Sequence, residues 1–243
     1  MNAPALRPRS VGEILDTAFQ LYRARFSEMA AATAVLVSPL LLLEIIAPLN
    51  VLPLLEFVKN IFFMAASAAV VVIASGAYEG RVVPPGEAIR AVRARFLSVW
   101  GSAIFQSILV SLGLLLLVVP GLFALAYTFA MQQAVMIEDR RTDDAFQRSK
   151  ALAEDNVKRI LATVVLAFLI VIVATIGGEA LFTFFSMSLR MQVVLTNVVL
   201  IGLNPLAAVA GTVMYYDLRI RKEAYDVEVA TERLGSAVPV PAF

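Results

Sequence analysis

Six long apolar stretches, separated by short turns or by charged segments, constrain the fold of this chain more than any other feature. A helix that crosses the hydrocarbon core of a bilayer needs about 20 mostly apolar residues. We predict such spans at about 28–49, 54–78, 98–118, 121–137, 159–184 and 192–216. The sequence therefore predicts an all-α, polytopic membrane protein with six transmembrane helices.

The composition supports this class and removes several others. Of the 243 residues, 60% are hydrophobic and 16% are charged, whereas soluble domains are near half apolar and a quarter charged. The net charge of +1 gives no electrostatic signal for nucleic acid. Cysteine and histidine are both absent, which excludes thiol chemistry and removes the commonest general base and transition-metal ligand. We expect no cofactor, no metal site and no catalytic residue.

Basic residues accumulate in alternate connections between the spans. All but two of the 20 Lys and Arg residues lie in the N-terminal segment, in 79–97, in 138–159 or in the C-terminal segment, the exceptions being Lys59 and Arg190. Because cytoplasmic loops carry an excess of basic residues, we expect both termini on the cytoplasmic side of a bacterial or archaeal cytoplasmic membrane. The first 26 residues lack the apolar core of a signal peptide, so we expect the first span to remain as an anchor.

The charged connections also show apolar residues at helical spacing. Ser10 and Glu13 match a capping box, and an apolar stripe follows them at Val11, Leu15, Phe19, Tyr22 and Phe26. The second stripe consists of Ile89, Val92, Phe96 and Trp100. The third consists of Phe146, Ser149, Leu152 or Ala153, and Val157. These patterns predict three cytoplasmic-side amphipathic helices at the membrane interface, each preceding one of three transmembrane hairpins.

The three amphipathic segments resemble one another. Each has an acidic residue near its start, at Glu13, Glu87 and Asp144, and each leads into a hairpin. This order suggests an internal repeat used three times, although any membrane protein built from hairpins shows interfacial helices between them. We predict a six-helix membrane domain over residues 1–228 and a flexible cytoplasmic tail over residues 229–243.

Three motifs, in this order along the chain, resemble one known family. The first is the run from Leu6 to Asp16, LRPRSVGEILD. The second is Pro120-Gly121 followed by Glu138 and by Ala145-Phe146-Gln147-Arg148-Ser149, and the third is the run from Tyr215 to Glu223, YYDLRIRKE. Together they resemble the membrane domain of glycerophosphoryl diester phosphodiesterases, over nearly the whole chain to about residue 228.

The resemblance implies a membrane domain that lacks the separate catalytic domain found in other members of the family. In two-part members of that family, hydrolysis belongs to a separate barrel that carries catalytic histidines. This chain has no histidine, and only 26 residues follow Asp217. We therefore expect no phosphodiesterase activity. The same membrane domain also occurs alone in many bacterial proteins of unassigned function, which is the form that this chain resembles.

Polar residues inside a bilayer are costly and are candidates for function. Glu44 and Lys59 should lie at nearly equal depth on neighbouring antiparallel helices, so we predict an ion pair that fixes the first hairpin. A substrate or proton-coupling role for Glu44, or exposure of its carboxylate at the outer surface, remains open. Glu179 follows Gly177-Gly178, which kinks or ends the fifth span and leaves Glu179 either wetted at the outer surface or facing inward.

The remaining polar groups have simpler structural interpretations. Asn204 precedes Pro205 near the middle of the sixth span, where a proline kink or a broken, site-lining helix would form. Three glutamines in the second hairpin favour interhelical hydrogen bonds over a pore: Gln106, Gln132 and Gln133. The acidic run from Glu138 to Asp144 is best explained by a helix start with Thr142 as its cap.

Two classes of function remain. The first is a non-enzymatic scaffold, assembly or lipid-organising component whose partners are the lipid bilayer and other membrane proteins. The second is a small transporter or channel subunit that uses Glu44, Glu179 and Asn204 around a central cavity. A cavity that reaches Glu44 or Asn204 would favour transport, and a tightly packed bundle would favour the scaffold.

Overall fold

A computed structural model describes residues 7–225 and 227 of the protein. These residues form helices and the connections between them, and no strand occurs among them. The predicted tail at 229–243 lies outside these residues. Ten α-helices follow one another in the described part of the chain. They are α1 (Val11–Ala24), α2 (Phe26–Ile46), α3 (Leu52–Tyr78), α4 (Pro85–Ala94), α5 (Phe96–Leu116), α6 (Val118–Thr128), α7 (Met131–Glu138), α8 (Thr142–Ala153), α9 (Val157–Phe184) and α10 (Leu189–Glu223).

Six segments among the described residues are long and apolar enough to cross a membrane: α2, α3, α5, α6 with α7, α9 and α10. The chain is therefore a multi-pass membrane protein, as the hydropathy pattern predicts. The sixth segment is longer than predicted, because α10 continues beyond residue 216 to Glu223. Its 35 residues extend over about 52 Å, which exceeds the roughly 30 Å of a hydrocarbon core.

Five of the six spanning segments form a closed ring. In this ring α3 packs against α5, α5 against α6, α6 against α9, α9 against α10, and α10 against α3. The sixth, α2, packs outside the ring against α3 and α10. The short helices α1, α4 and α8 lie at one end, which we call the charged end, and the opposite end, at the α2–α3 and α9–α10 connections, is the far end.

The three short helices enter their spanning helices through similar backbone geometry. The junction residues have φ and ψ of −125° and 25° at Arg25, −112° and 17° at Arg95, and −117° and 7° at Asn156. The residues four positions after each junction are all buried, namely Met29, Val99 and Ile160. The residues seven positions after are buried too, namely Ala32, Ser102 and Thr163. This shared geometry favours the internal repeat.

The first amphipathic segment packs through a different face from the stripe expected from its sequence. Ser10 and Glu13 form the capping box that was predicted. The buried residues of α1 are Ile14, Ala18 and Leu21, which pack into the main core. Of the predicted stripe, Leu15 and Tyr22 are half-buried against the same core, and Phe19 is exposed. The buried face of the helix is therefore rotated from the predicted stripe and overlaps it in part.

The helix ends near the second hairpin differ from the prediction at two points. The chain turns at Leu117, and Pro120 lies inside the first turn of α6. Amide groups in the first turn have no partner within the helix, so the missing amide hydrogen of proline costs no hydrogen bond there. Thr142 is the first residue of α8 and not its cap, because its hydroxyl donates to the Ser98 carbonyl at 3.4 Å. The fourth span breaks between α6 and α7, where the Ala130 amide donates to Ser149 Oγ at 3.0 Å.

At two further points the structure excludes one of two predicted alternatives. Helix α9 does not end at Gly177-Gly178 but continues to Phe184, so Glu179 lies on the spanning helix itself. Helix α10 is continuous through Pro205, so the broken helix is wrong and the proline kink stays a prediction. The Tyr22 hydroxyl donates to the Gly202 carbonyl at 2.8 Å, which supplies a side-chain donor one turn before the proline.

Candidate functional site

A cavity of about 640 Å³, which we call the central cavity, lies among the five ring segments; it is partly open, and apolar side chains make up most of its wall. All five ring segments contribute to its wall, over the middle of the bundle and the half nearer the charged end. Its polar lining consists of serine and amide side chains without an ionisable group, including Ser67, Gln106, Ser107, Gln132, Gln133 and Asn204. Asn204, predicted from the sequence as a polar candidate, therefore faces a cavity.

The glutamines of the second hairpin do not bond to one another as predicted. Gln132 accepts from Ser67 Oγ at 3.0 Å and donates to the Met64 carbonyl at 3.3 Å. Gln133 is only 4% exposed, and its Oε1 has no hydrogen-bond partner among the described residues. A Cβ at Gly211 would come within 2.8 Å of Gln133 Nε2, so glycine is what lets this amide approach α10. Gln133 thus brings a buried acceptor without a donor to the wall of the cavity.

A second cavity of about 390 Å³, the end chamber, lies between α3, α9 and α10 towards the far end. Its polar lining includes Glu56, Lys59, Asn60, Glu179, Gln192 and Asn197. Phe63 and Leu200 line both this chamber and the central cavity. They pack together in a small apolar cluster with Val37 and Leu41. The two cavities are therefore neighbours, separated by an apolar constriction.

The predicted ion pair between Glu44 and Lys59 is present. Lys59 Nζ lies 2.8 Å from Glu44 Oε1, and both side chains are almost fully buried. The same ammonium lies 2.7 Å from Glu56 Oε1, and Asn197 Nδ2 donates to Glu44 Oε2 at 3.2 Å. The pair thus joins α2, α3 and α10 at one depth.

At the charged end, a buried carboxylate joins the two ends of the described chain. Asp217 is fully buried and accepts from the Arg9 backbone amide at 2.6 Å. It also accepts from Arg159 Nε at 3.0 Å and from Arg221 Nε at 2.8 Å. Because carboxylate and guanidinium groups are paired and hydrogen-bonded, burial of this charge is compensated. The network positions α1, α9 and α10 against one another.

A second network at the charged end is centred on Glu138 and Arg148. Arg148 donates to Glu138 at 2.7 Å and to Glu223 at 2.8 Å, and the Tyr215 hydroxyl donates to Glu138. The hydrogen bond to Glu223, followed by that to Glu138, raises the pKa of Arg148 above its usual range. Glu138 therefore belongs to an interhelical network, and its assignment to the start of α8 was wrong.

Sequence reasoning found some members of these sites and missed others. It identified Glu44, Lys59, Glu179 and Asn204, of which the structure groups the first three around the end chamber and leaves Asn204 in the central cavity. Glu56 could have been found from its i, i+3 spacing to Lys59. Other partners, such as Asn197, lie far away in sequence and gave no local signal.

The fold and its cavities define a class: a multi-pass helical membrane protein with a partly open cavity among its spanning segments, whose wall includes serine and amide side chains. Comparisons of the chain with known protein families, with characterised proteins and with solved structures find no match. The three motifs that carry the sequence resemblance contribute Arg9, Glu138, Arg148, Tyr215 and Asp217 to the two charged-end networks.

Proposed function

We propose that this protein is a small, non-enzymatic transporter that binds a polar solute in the central cavity and carries it across the cytoplasmic membrane. The observation that carries the proposal is a partly open cavity among five spanning segments, with a group of serine and amide side chains in its wall. Its volume of about 640 Å³ falls within the roughly 300–1,000 Å³ range of small-molecule sites. Because polar groups inside a bilayer are costly and rare, a cavity lined by them favours a solute-binding role.

Of the two classes that the sequence left open, this is the transporter or channel subunit. A scaffold or lipid-organising component needs no polar interior, and a tightly packed bundle would suit it better. The unpartnered Gln133 acceptor supports a ligand that donates hydrogen bonds, and the absence of ionisable groups in the lining supports an uncharged one. Hydroxyl-bearing or amide-bearing solutes have this chemistry.

The orientation follows from the positive-inside pattern. We infer that the charged end faces the cytoplasm of a bacterial or archaeal cell and that the short helices lie near the inner membrane surface. We also infer membership of the family whose membrane domain the sequence resembles, as a stand-alone form without hydrolytic activity. The paired charges at the charged end support a positioning role for those motifs rather than a catalytic one.

The absence of cysteine makes the water content of the cavity directly testable. Ser107 lines the central cavity, whereas the next residue, Ile108, lies outside it with 55% of its surface exposed on the bundle exterior. In membrane vesicles, we expect Ser107→Cys to react with a charged methanethiosulfonate reagent, because the reactive thiolate forms only in contact with water. Ile108→Cys, at the same depth, should remain unreacted.

The cysteine-free protein serves as the background control. Permeabilised vesicles give the reagent access to both membrane surfaces, so Ser107→Cys should react there and Ile108→Cys should still remain unreacted. Equal reactivity of the two cysteines, or no reaction at Ser107→Cys in permeabilised vesicles, would contradict a water-filled cavity and with it the transport proposal.

A further inference from the structure

We propose that the end chamber binds a protonated primary amine, carried either by a small dissolved molecule or by a lipid headgroup. The chamber's volume of about 390 Å³ is far larger than the roughly 30 Å³ share of one water molecule. It therefore has room for an organic cation. The inference goes beyond the proposed transport function, because an amine bound here would occupy a site separate from that of the uncharged solute in the central cavity.

The charge of the site is the first argument. Lys59 is the one basic residue in the described lining, and Glu44 and Glu56 already hold its ammonium at 2.8 and 2.7 Å. Glu179 lines the same chamber and forms no ion pair with any described residue. Two carboxylates thus contact the Lys59 ammonium, and a third, that of Glu179, lies in the wall of the same chamber. Since opposite charges attract, this excess of negative charge favours the binding of a second cation.

An unpartnered acceptor is the second, independent argument. Asn197 is 2% exposed and lines the chamber. Its Nδ2 donates to Glu44 and to the Val193 carbonyl, while its Oδ1 has no hydrogen-bond partner among the described residues. A buried acceptor without a donor is destabilising. A primary ammonium offers three donors, which suit Asn197 Oδ1 and the carboxylates of Glu56 and Glu179.

The geometry also suggests how the amine would enter. The Glu56 side chain is 48% exposed, whereas Lys59 is almost fully buried. An incoming ammonium can therefore reach Glu56 from the chamber without displacing Lys59 from Glu44. This arrangement keeps the buried pair intact while the ligand occupies the exposed carboxylates.

The test is a titration of the purified full chain in detergent with butylamine at neutral pH, followed by the shift in melting temperature. We expect saturable stabilisation by butylamine and none by tetramethylammonium or sodium chloride at the same concentration, because neither supplies an N–H donor. Glu179→Gln should weaken the apparent affinity about tenfold or more, as loss of a charged hydrogen bond does. Glu179→Asp should retain most of it, and Glu87→Gln, at the charged end, should match the wild type.

Nanodiscs distinguish the two sources of the amine. In phosphatidylcholine alone, whose headgroup has no N–H, butylamine should bind as in detergent. If the natural ligand is a lipid headgroup, added phosphatidylethanolamine should compete with butylamine. If the natural ligand is a dissolved amine, added phosphatidylethanolamine should leave butylamine binding unchanged. Both results support an amine site. Equal stabilisation by tetramethylammonium or sodium, or unchanged affinity in Glu179→Gln, would overturn it. If the amine fails to bind while Ser107→Cys is still labelled, only this inference is contradicted. If the amine binds while Ser107→Cys is not labelled, only the transport proposal is contradicted.

Discussion

Among the described residues, Lys59 and Arg190 are the two basic residues away from the charged end, and each contacts specific acceptors at its depth. Arg190 donates to the carbonyls of Ile45 and Ala47, which lie at the C-terminal end of α2, where a cation is favourable. Lys59 lies between Glu44 and Glu56. Specific contacts therefore explain why these two basic residues occur away from the charged end.

The Glu44–Lys59 pair should be measurable as a coupling energy. Removing one partner of a buried pair costs about 3–5 kcal/mol, because the other charge is left uncompensated. We expect Glu44→Gln to lose less stability in detergent than Lys59→Met, since Glu56 still holds Lys59 in the first variant. The double variant should lose less than the sum of the two.

The exposed Lys150 at the charged end provides the matched control, and Lys150→Met should change the free energy of unfolding by less than about 0.5 kcal/mol. Strictly additive losses in the double variant would mean that Glu44 and Lys59 do not interact.

At the scale of elements, α5 and α6 approach each other most closely at two glycines. A Cβ at Gly113 would come within 2.8 Å of the Gly121 Cα, and a Cβ at Gly121 would overlap the Leu114 side chain. Small residues permit such close backbone approach between membrane helices. The tight turn at Leu117 depends on this contact, because the two helices are joined by that one extended residue.

Substitution at this crossing should therefore force the helices apart. We expect Gly113→Ala to destabilise the protein in detergent by about 1–3 kcal/mol, the usual cost of overpacking. Gly177→Ala in α9 is the control, since a Cβ there meets nothing within 4 Å. It should be neutral or stabilising by up to about 1 kcal/mol, as alanine favours a helix over glycine. Equal effects of the two substitutions would show that the close approach at Gly113 does not limit packing.

At the scale of the whole molecule, the two cavities and the constriction between them form an interrupted polar path from the far end into the half of the bundle nearer the charged end. Phe63 is 8% exposed and packs with Leu200 in the constriction. In a transporter this apolar contact would separate the outer solution from the central cavity.

Shortening Phe63 should open that path. Under the proposed orientation, with the charged end facing the cytoplasm, we expect Phe63→Ala to make Ser107→Cys reactive towards a membrane-impermeant reagent added from the outside of intact cells. Phe57→Ala is the control, because Phe57 lies on the same helix but is 67% exposed. Loss of the Phe63 ring should also cost about 3 kcal/mol of stability. Unchanged outside labelling in a folded Phe63→Ala protein would contradict a gating role for the constriction.

Local features of the sequence predicted several parts of this molecule correctly. Hydropathy located six spans because each is encoded in one continuous run of residues, and the spacing of Ser10 and Glu13 predicted the capping box because both residues lie within one turn. The Glu44–Lys59 pair was predictable because the short connection between α2 and α3 sets their relative depth.

The central cavity, the end chamber and the buried face of α1 were decided only by the tertiary structure. In a soluble helix, an apolar stripe shows which face is buried, but lipid-facing and bundle-facing sides of a spanning helix are both apolar. Periodicity then carries little information about which side faces the interior. Asn197 reaches Glu44 across 153 positions of sequence, and Gln133 faces the central cavity only because five helices close around it. Contacts of this kind depend on how the helices pack, which no local pattern of residues specifies.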